Sequence, residues 1–505
     1  MTETGSEPGG LGSADSDGLH LGTARGRWVL TATVLGSAMA QLDATVVGIA
    51  QPAIGKEFHA QISGLQWVSA GYLLTVAGLI LLAGALTDRY GRRRIFVIGV
   101  TWFAIASLIC ATAPNIGLLI AARGLQGVGG ALLTPGSLAI LEASFAKGDR
   151  GRAIGAWSGL GGVATALGPF VGGFLITAVS WRLIFVINLP IAAAVIFIAM
   201  RHVPESRDPN ATGDIDFAGS VLTVVALVGI SYGLIQGSSG NWGSTVVLGA
   251  LLVGVVASVA FVVVELRVRA PIVPLDIFKS RQFSATNGVT LLIYGMLGGM
   301  FFLLPIELQQ VSHYGPTAAG ASLLPITFMM FALSSRSGGL SARIGPRLQM
   351  SVGPIVVAAG LALFARINAG GNYIIEVLPA VLVFGFGLAI TVAPLTATAM
   401  SSAPPERSGL ASAVNNTVAR TGSLLAVALL PAVAGITGDS YLHPPVFETG
   451  FQHAAFIASV ICAAGGLLAA ATIRNPRRPA APQALPTPEY HCAADAPPLR
   501  AHARN

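Results

Sequence analysis

Charge is scarce in this 505-residue sequence: Asp, Glu, Lys and Arg together make up 10% of it, less than half the usual share of a soluble globular protein. With 53% hydrophobic residues, the apolar mass is too large to be the core of one water-facing domain. Lysine is nearly missing, at Lys56, Lys147 and Lys279 only. Cysteine is limited to Cys110 and Cys462 inside apolar blocks and Cys492 in a polar tail, which excludes a disulfide framework and predicts three free thiols. There is no Gly-x-x-x-x-Gly-Lys-Ser/Thr stretch; the lone Gly-Lys pair, Gly55-Lys56, runs on into Glu57, so ATP drive within the chain is excluded. The eight histidines are scattered, no pair stands at metal-ligand spacing on a helix, and no buried nucleophile and base pair is legible. We therefore expect no enzyme, no metal and no cofactor. A formal charge of +7 could suggest nucleic acid, but the basic residues flank apolar blocks rather than forming one stripe, so no nucleic-acid partner is expected.

What the chain does have is long apolar blocks, many reaching the roughly 20 residues that span a bilayer core. About 14 qualify as helices, beginning near Trp28, Gly64, Ile95, Asn115, Arg152, Trp181, Phe217, Ser244, Phe283, Pro316, Met350, Tyr373, Gly409 and Phe451. Residues 1–24 are rich in Gly, Ser and acids with no apolar face, and 475–505 are rich in Pro and Ala; both read as disordered tails, and neither as a cleaved signal. If both tails are cytoplasmic, 24 of the 29 Lys and Arg residues fall inside, including Arg92, Arg93 and Arg94 after the second span. So lopsided a split predicts a multi-pass plasma-membrane protein with both termini in the cytoplasm.

A repeat is visible. The loop after the second span reads Gly84-Ala-Leu-Thr-Asp88-Arg89-Tyr-Gly91-Arg92-Arg93, and the loop after the tenth reads Gly338-Gly-Leu-Ser-Ala342-Arg343-Ile-Gly345-Pro-Arg347. Asp149-Arg150 before the fifth span is matched by Glu406-Arg407 before the thirteenth. Two six-helix halves with two helices inserted between them place both matches in register. The expected division is residues 25–202 for the first bundle, 203–282 for the inserted pair and 283–474 for the second bundle. Parallel repeats of this kind carry substrate sites at mid-depth between halves that rock.

Three charged residues inside spans single themselves out, because an ionisable group at membrane depth is functional by default. Asp43 lies roughly 10 Å below the outer boundary and Arg123 roughly 12 Å, taking 1.5 Å of rise per residue, so their depths match. Arg420 lies roughly 18 Å from the cytoplasmic end by the same rise. A low dielectric favours a neutral carboxyl and a nearby guanidinium favours the charged one, so small movements between Asp43 and Arg123 can switch a proton on and off. The alternative is a static buried ion pair that only positions two helices.

These motifs resemble the major facilitator superfamily, specifically its fourteen-helix drug:proton antiporter branch, over nearly the whole chain between the tails. The loop from Gly84 to Arg94 resembles the superfamily signature between helices two and three. There Gly84 permits close helix approach, Gly91 makes a tight turn, and Asp88, accepting from a helix N-terminus or a neighbouring arginine, latches the cytoplasmic side. Leu42-Asp43-Ala-Thr45 to Pro52 resembles the branch's embedded acidic motif, with Gly48 and Gln51 as departures. The stretch Arg123-Gly-Leu-Gln126-Gly127-Val-Gly129-Gly130 resembles the fourth-helix motif whose arginine serves proton transfer. Gly168-Pro169-Phe-Val-Gly172-Gly173 resembles the antiporter motif, with Ala164 where glycine is common. The run Asn415-Asn416-Thr417-Val-Ala-Arg420 resembles the branch's polar thirteenth helix, and Glu307 stands where relatives often have tyrosine.

The resemblance implies an all-α membrane protein, fourteen helices in the major facilitator superfamily fold, acting as a monomeric secondary exporter of drugs or other small organic molecules by proton antiport. Its implied partners are the lipid bilayer, protons and an apolar or cationic small molecule, with Gln126, Glu307, Asn415, Asn416 and Arg420 as candidate cavity residues. The alternatives are a dedicated exporter of one native metabolite (a self-made antibiotic, a siderophore or a lipid) or a membrane sensor on the same fold. For Glu307, solvation at the outer rim competes with a second proton site or attraction of cationic cargo. For Asn415 and Arg420, a structural hydrogen-bond cluster competes with substrate contact.

Overall fold

The computed structural model describes residues 18–208, 216–268, 271–404 and 407–475. Among them stand 14 helices long and apolar enough to cross a membrane. We label these spans α1 (Ala24–Phe58), α2 (Ile62–Tyr90), α3 (Arg92–Ala111), α4 (Ile116–Ser144), α5 (Lys147–Ala178), α6 (Leu183–His202), α7 (Phe217–Asn241), α8 (Thr245–Glu265), α9 (Arg281–Gln310), α10 (Pro316–Ile344), α11 (Pro346–Phe364), α12 (Tyr373–Ser401), α13 (Ser408–Val433) and α14 (Pro444–Thr472). Helices are the fold of choice in hydrocarbon because each backbone donor finds its acceptor within the segment. The prolines inside α1, α4, α5, α9, α11, α12 and α13 remove single donors, which membrane helices tolerate where neighbouring helices and side chains compensate.

Packing groups the spans into two bundles. In the first, α1 lies along α5 and α6, while α4 lies along α2 and α3; in the second, α9 lies along α13 and α14, and α12 along α10 and α11. The pair α7 and α8 pack on each other, and α7 leans on α2 and α13, one helix from each bundle. Fourteen spans bring the two ends of the chain to one face, here the termini face; the opposite one is the far face.

The bundles join at the far face. On α5, a side chain at Gly173 would collide with the backbone of Pro316 and Thr317, and one at Gly320 on α10 with the Pro169 carbonyl, so these glycines permit backbone-to-backbone contact. Gln66 of α2 donates to the Val427 carbonyl of α13 at 2.7 Å, and Gln309 of α9 to the Ile49 carbonyl of α1 at 2.9 Å. The Tyr441 hydroxyl donates to the Ala60 carbonyl at 2.6 Å. Toward the termini face α5 and α10 have parted: at Gly151, Gly155, Gly159 and Gly162 of α5, and at Gly338 and Gly339 of α10, no atom lies within 4 Å of where a side chain would begin. The two halves are thus closed at the far face and splayed toward the termini face along this seam.

The repeat extends into details the sequence did not display. Gly91 and Gly345 both adopt positive φ, 113° and 87°, turning the chain between α2 and α3 and between α10 and α11. Each is followed by a helix whose N-terminus is capped from the residue three places past the last helix of its own bundle. Glu205 accepts from the Arg93 and Arg94 amides at 3.1 and 3.2 Å, and Asn475 accepts from the Arg347 amide at 3.0 Å. A carboxylate on exposed helix N–H groups stabilises by about 1–3 kcal/mol. Glu205→Ala is therefore expected to lower the melting temperature of the detergent-purified protein, and unchanged melting would show that the cap carries no stability.

Residues 18–23 correct the expectation of a tail disordered to residue 24. The Leu19 amide donates to Ser144 at 2.7 Å and its carbonyl accepts from Ala146, and the Leu21 amide donates to Asp149, pinning this segment to the α4–α5 turn. The donors are backbone amides, and one acceptor is the Asp149 carboxylate 128 residues away, so no local pattern announces them. The remaining tail residues and Glu406 lie outside the described residues.

Candidate functional site

Within the first bundle, five helices converge on one buried polar cluster. It is positioned by glycine: Gly127 on α4 lies against Thr75 and the Tyr72 carbonyl of α2, and Gly129 against the backbone of Phe103 on α3, so α4 is squeezed between them. From that helix Arg123 reaches α1, where its Nη1 donates to Asp43 Oδ2 at 2.5 Å. The same nitrogen donates to Gln126 Oε1, and Arg123 Nε donates to the Val68 carbonyl of α2 at 3.2 Å. The second carboxylate oxygen, Asp43 Oδ1, accepts from Gln126 Nε2 at 2.8 Å and from Asn188 Nδ2 of α6 at 3.2 Å. Both amides also donate to Ser107 Oγ of α3, at 2.8 and 3.2 Å.

Asp43 and Arg123 are each 1% exposed, so this pair has exchanged water for protein partners almost completely. A buried pair of charges survives only when remaining donors and acceptors are also met. Here Asp43 is met three times, and the guanidinium lies 4.5 Å from the centre of the Tyr72 ring, whose face is electron-rich. The arrangement surrounds the Asp43 carboxyl with donors from two other helices.

Sequence reasoning placed Asp43, Arg123 and Gln126 here and missed Asn188 and Ser107. The available signal was an Asn inside the otherwise apolar block of α6. Tyr72 is buried against the arginine, and Trp67 packs near Tyr232 with ring centres 6.2 Å apart.

The remaining motif residues lie apart from this cluster. Asp88 is half-exposed and accepts from Arg92, the first residue of α3, at 3.0 Å, while its backbone carbonyl accepts from the Asp208 amide. Arg89 lies over the Tyr90 ring, and Arg93 pairs with Glu205 at 3.7 Å. Gly84, expected at a close helix approach, has open space around it, because α2 meets no neighbour there in this splayed arrangement. Gly168 and Gly172 pack α5 on α1 at Thr45 and Val46, directly beside the Asp43 turn, and Pro169 and Gly173 meet α10. In the second bundle Asn415 donates to Asn287 at 3.0 Å and Thr290 at 2.8 Å on α9, whereas Asn416 is exposed and donates to its own helix. Arg420 is half-buried with no hydrogen-bond partner for Nε among the described residues. Glu307, for which the sequence left rim solvation, a second proton site and attraction of cationic cargo open, is 0% exposed, and the turn carrying Tyr441 packs on the same helix.

This geometry can be set beside known proteins. The sequence profile of the Major Facilitator Superfamily matches residues 33–427. The chain belongs to that superfamily. It is 35% identical to the tetracenomycin C resistance and export protein of Streptomyces glaucescens over 87% of this chain and 81% of the relative. It is 36% identical to the methylenomycin A resistance protein of Bacillus subtilis over 82% and 88%, and 34% identical to the puromycin resistance protein of Streptomyces alboniger over 82% and 83%. Among solved structures, a bacterial homologue of the human lysosomal transporter Spinster, in an inward-facing and unoccupied conformation, matches with a TM-score of 0.61 at 15% identity, covering 89% of this chain and 98% of that one. The POT family transporter PepTSo matches at 0.63 and 14%, covering 88% and 97%. These structures share the fold with this superfamily member, which is a multi-pass membrane transporter and not an enzyme.

Proposed function

We propose that this transporter exports antibiotics or similar small organic molecules across the plasma membrane in exchange for protons, with both termini cytoplasmic. The observation that carries the reading is the Asp43–Arg123 pair: one carboxyl group, buried in the first bundle, bonded by three donors from two other helices. Those helices, α4 and α6, and α1 itself belong to the bundle that must tilt when the far-face seam opens.

The cycle follows from the two environments. In the arrangement seen, the halves are splayed toward the termini face, where cargo enters from the cytoplasm, and Asp43 is charged and fully bonded. Opening the far face moves α1 with its neighbours at Gly168 and Gly172 and loosens the donors around Asp43, which then takes a proton from outside. Return to the present arrangement restores the donors and expels that proton inward. The cargo travels out and the proton in, because only one of the two partners satisfies the site at a time. Export rather than uptake is supported by the names of the relatives, and the positive-inside charge distribution supports the orientation.

Cargo breadth separates a multidrug exporter from a dedicated one. An expressing host is expected to withstand at least one of tetracenomycin C, methylenomycin A and puromycin better than a vector control. Protection against several chemical classes marks a broad cavity, protection against one marks a dedicated exporter, and protection against none in a panel of antibiotics and organic cations contradicts drug export.

A further inference from the structure

Glu307 stands three residues from the far-face end of α9, is 0% exposed, and has no hydrogen-bond partner for either carboxylate oxygen among the described residues. No described group at this end of the bundle bonds to its carboxyl: the buried Ser312 and Ser440 hydroxyls, themselves without partners, make no hydrogen bond to it, and the remaining polar groups bond elsewhere, carry the wrong sign or line the rim. Glu448 of α14 is the charged group acting on it, and it is also an acid. The Tyr441 hydroxyl donates to Ala60, Gln309 of α9 donates to Ile49, and Glu57 of α1 accepts from Trp181 and Arg182. His443 pairs with Asp439 at 4.0 Å, Glu376 of α12 accepts from Asn368, and Lys56 lines the rim. The helix end itself presents carbonyl oxygens, which repel a second negative charge. An unpaired carboxylate in such a place is not a stable species, and a carboxylic acid is.

The helix that carries Glu307 also takes part in a gate. The turn Ser440–Leu442, from the α13–α14 connection of the second bundle, packs on α9 and sends Tyr441 across to Gly55 and Ala60 of the first bundle. The neighbouring Gly438 carbonyl accepts from the Ile62 amide at 2.8 Å. These contacts cross the seam and break when the far face opens. On its outer side the turn lines a depression of about 470 Å³ that also includes Lys56, His59 and Asp439.

We propose that Glu307 is a proton-binding site that locks the far face: closing the Tyr441 turn over it requires its carboxylate to take one proton from far-side water, and reopening returns that proton to the same side. The step balances as carboxylate plus hydronium giving carboxylic acid plus water. This proton is not carried across, so the lock is separate from exchange at Asp43 and stands whether or not Asp43 couples transport. Its consequence is that acid on the far side favours the closing step, the step that brings the cleft back to the termini face.

Infrared spectroscopy of the full chain in lipid at neutral pH reads the species directly, through the C=O absorption of a protonated carboxyl. The native protein is expected to show it, Glu307→Gln to lose it and Asp43→Asn to keep it. Tyr441→Ala, which lets water past the turn, is expected to weaken it. An absorption unaffected by Glu307→Gln overturns the assignment, and one lost in Glu307→Gln but undiminished in Tyr441→Ala overturns the link to the gate. Should the glutamine variant not fold, Glu307→Asp serves in its place: a displaced absorption supports the assignment and an unshifted one contradicts it. Loss of the absorption in Asp43→Asn would place it at the other carboxyl and overturn the assignment, while the antiport reading is judged separately by transport.

Discussion

Asp43→Asn is expected to reduce proton-driven export in inverted membrane vesicles to the level of vesicles lacking the transporter. Asparagine matches the carboxylate in size and still accepts a hydrogen bond, so the shape of the cluster is preserved while its proton is removed from the cycle. It also leaves Arg123 buried with no counter-charge, and breaking a buried pair from one side costs about 3–5 kcal/mol. Loss of transport alone therefore does not distinguish a proton carrier from a static pair. The double variant Asp43→Asn with Arg123→Gln does: it removes both charges together, which in buried pairs is often close to neutral for stability. The double variant is expected to recover melting temperature and cell-surface amount but not proton-driven export. Recovery of export along with stability would show that the pair only holds α1 against α4.

The second large effect is expected at the seam. Gly173→Val puts a branched side chain onto the backbone of Pro316 and Thr317 on the opposite bundle. Overpacking of this kind costs about 1–3 kcal/mol, and because the strain exists only when the far face is closed, it shifts the balance toward the far-open arrangement by roughly five- to 150-fold. A cysteine at Ala319, which is 0% exposed beside the seam glycine Gly320, reports the shift through its labelling by a membrane-impermeant maleimide. Labelling should rise and export should fall. Gly155→Val, where open space surrounds the glycine, provides the contrast: it should leave far-face labelling unchanged. Equal labelling in both variants would mean that the α5–α10 contact does not set the far gate.

The fourteen spans were legible because blocks of about 20 apolar residues have few other fates, and the bilayer fixes their length. Asp43 and Arg123 were legible for the converse reason: a charge inside such a block is costly enough to demand a partner. Asn188 and Ser107 were not, since a single neutral polar residue in an apolar helix is cheap on the lipid side of a bundle or in its interior, and only packing decides which way it faces. Glu205 and Asn475 cap helix starts 112 and 128 residues away in sequence, a pairing that exists only once each bundle has closed. The burial of Glu307 was not legible because the helix that carries it is met by a turn of the α13–α14 connection whose path no local pattern dictates. Gly84 and Gly173 carry the same residue type in similar motifs, yet only the second is in contact here; which glycine seam is closed belongs to the conformation and not to the sequence.

Proton release is the most direct test of exchange at Asp43. Purified native protein in weakly buffered detergent solution, given a compound shown to be exported, should shed protons into the medium as cargo and hydrogen ion trade places, and Asp43→Asn should shed none. Equal release from both proteins would contradict the account.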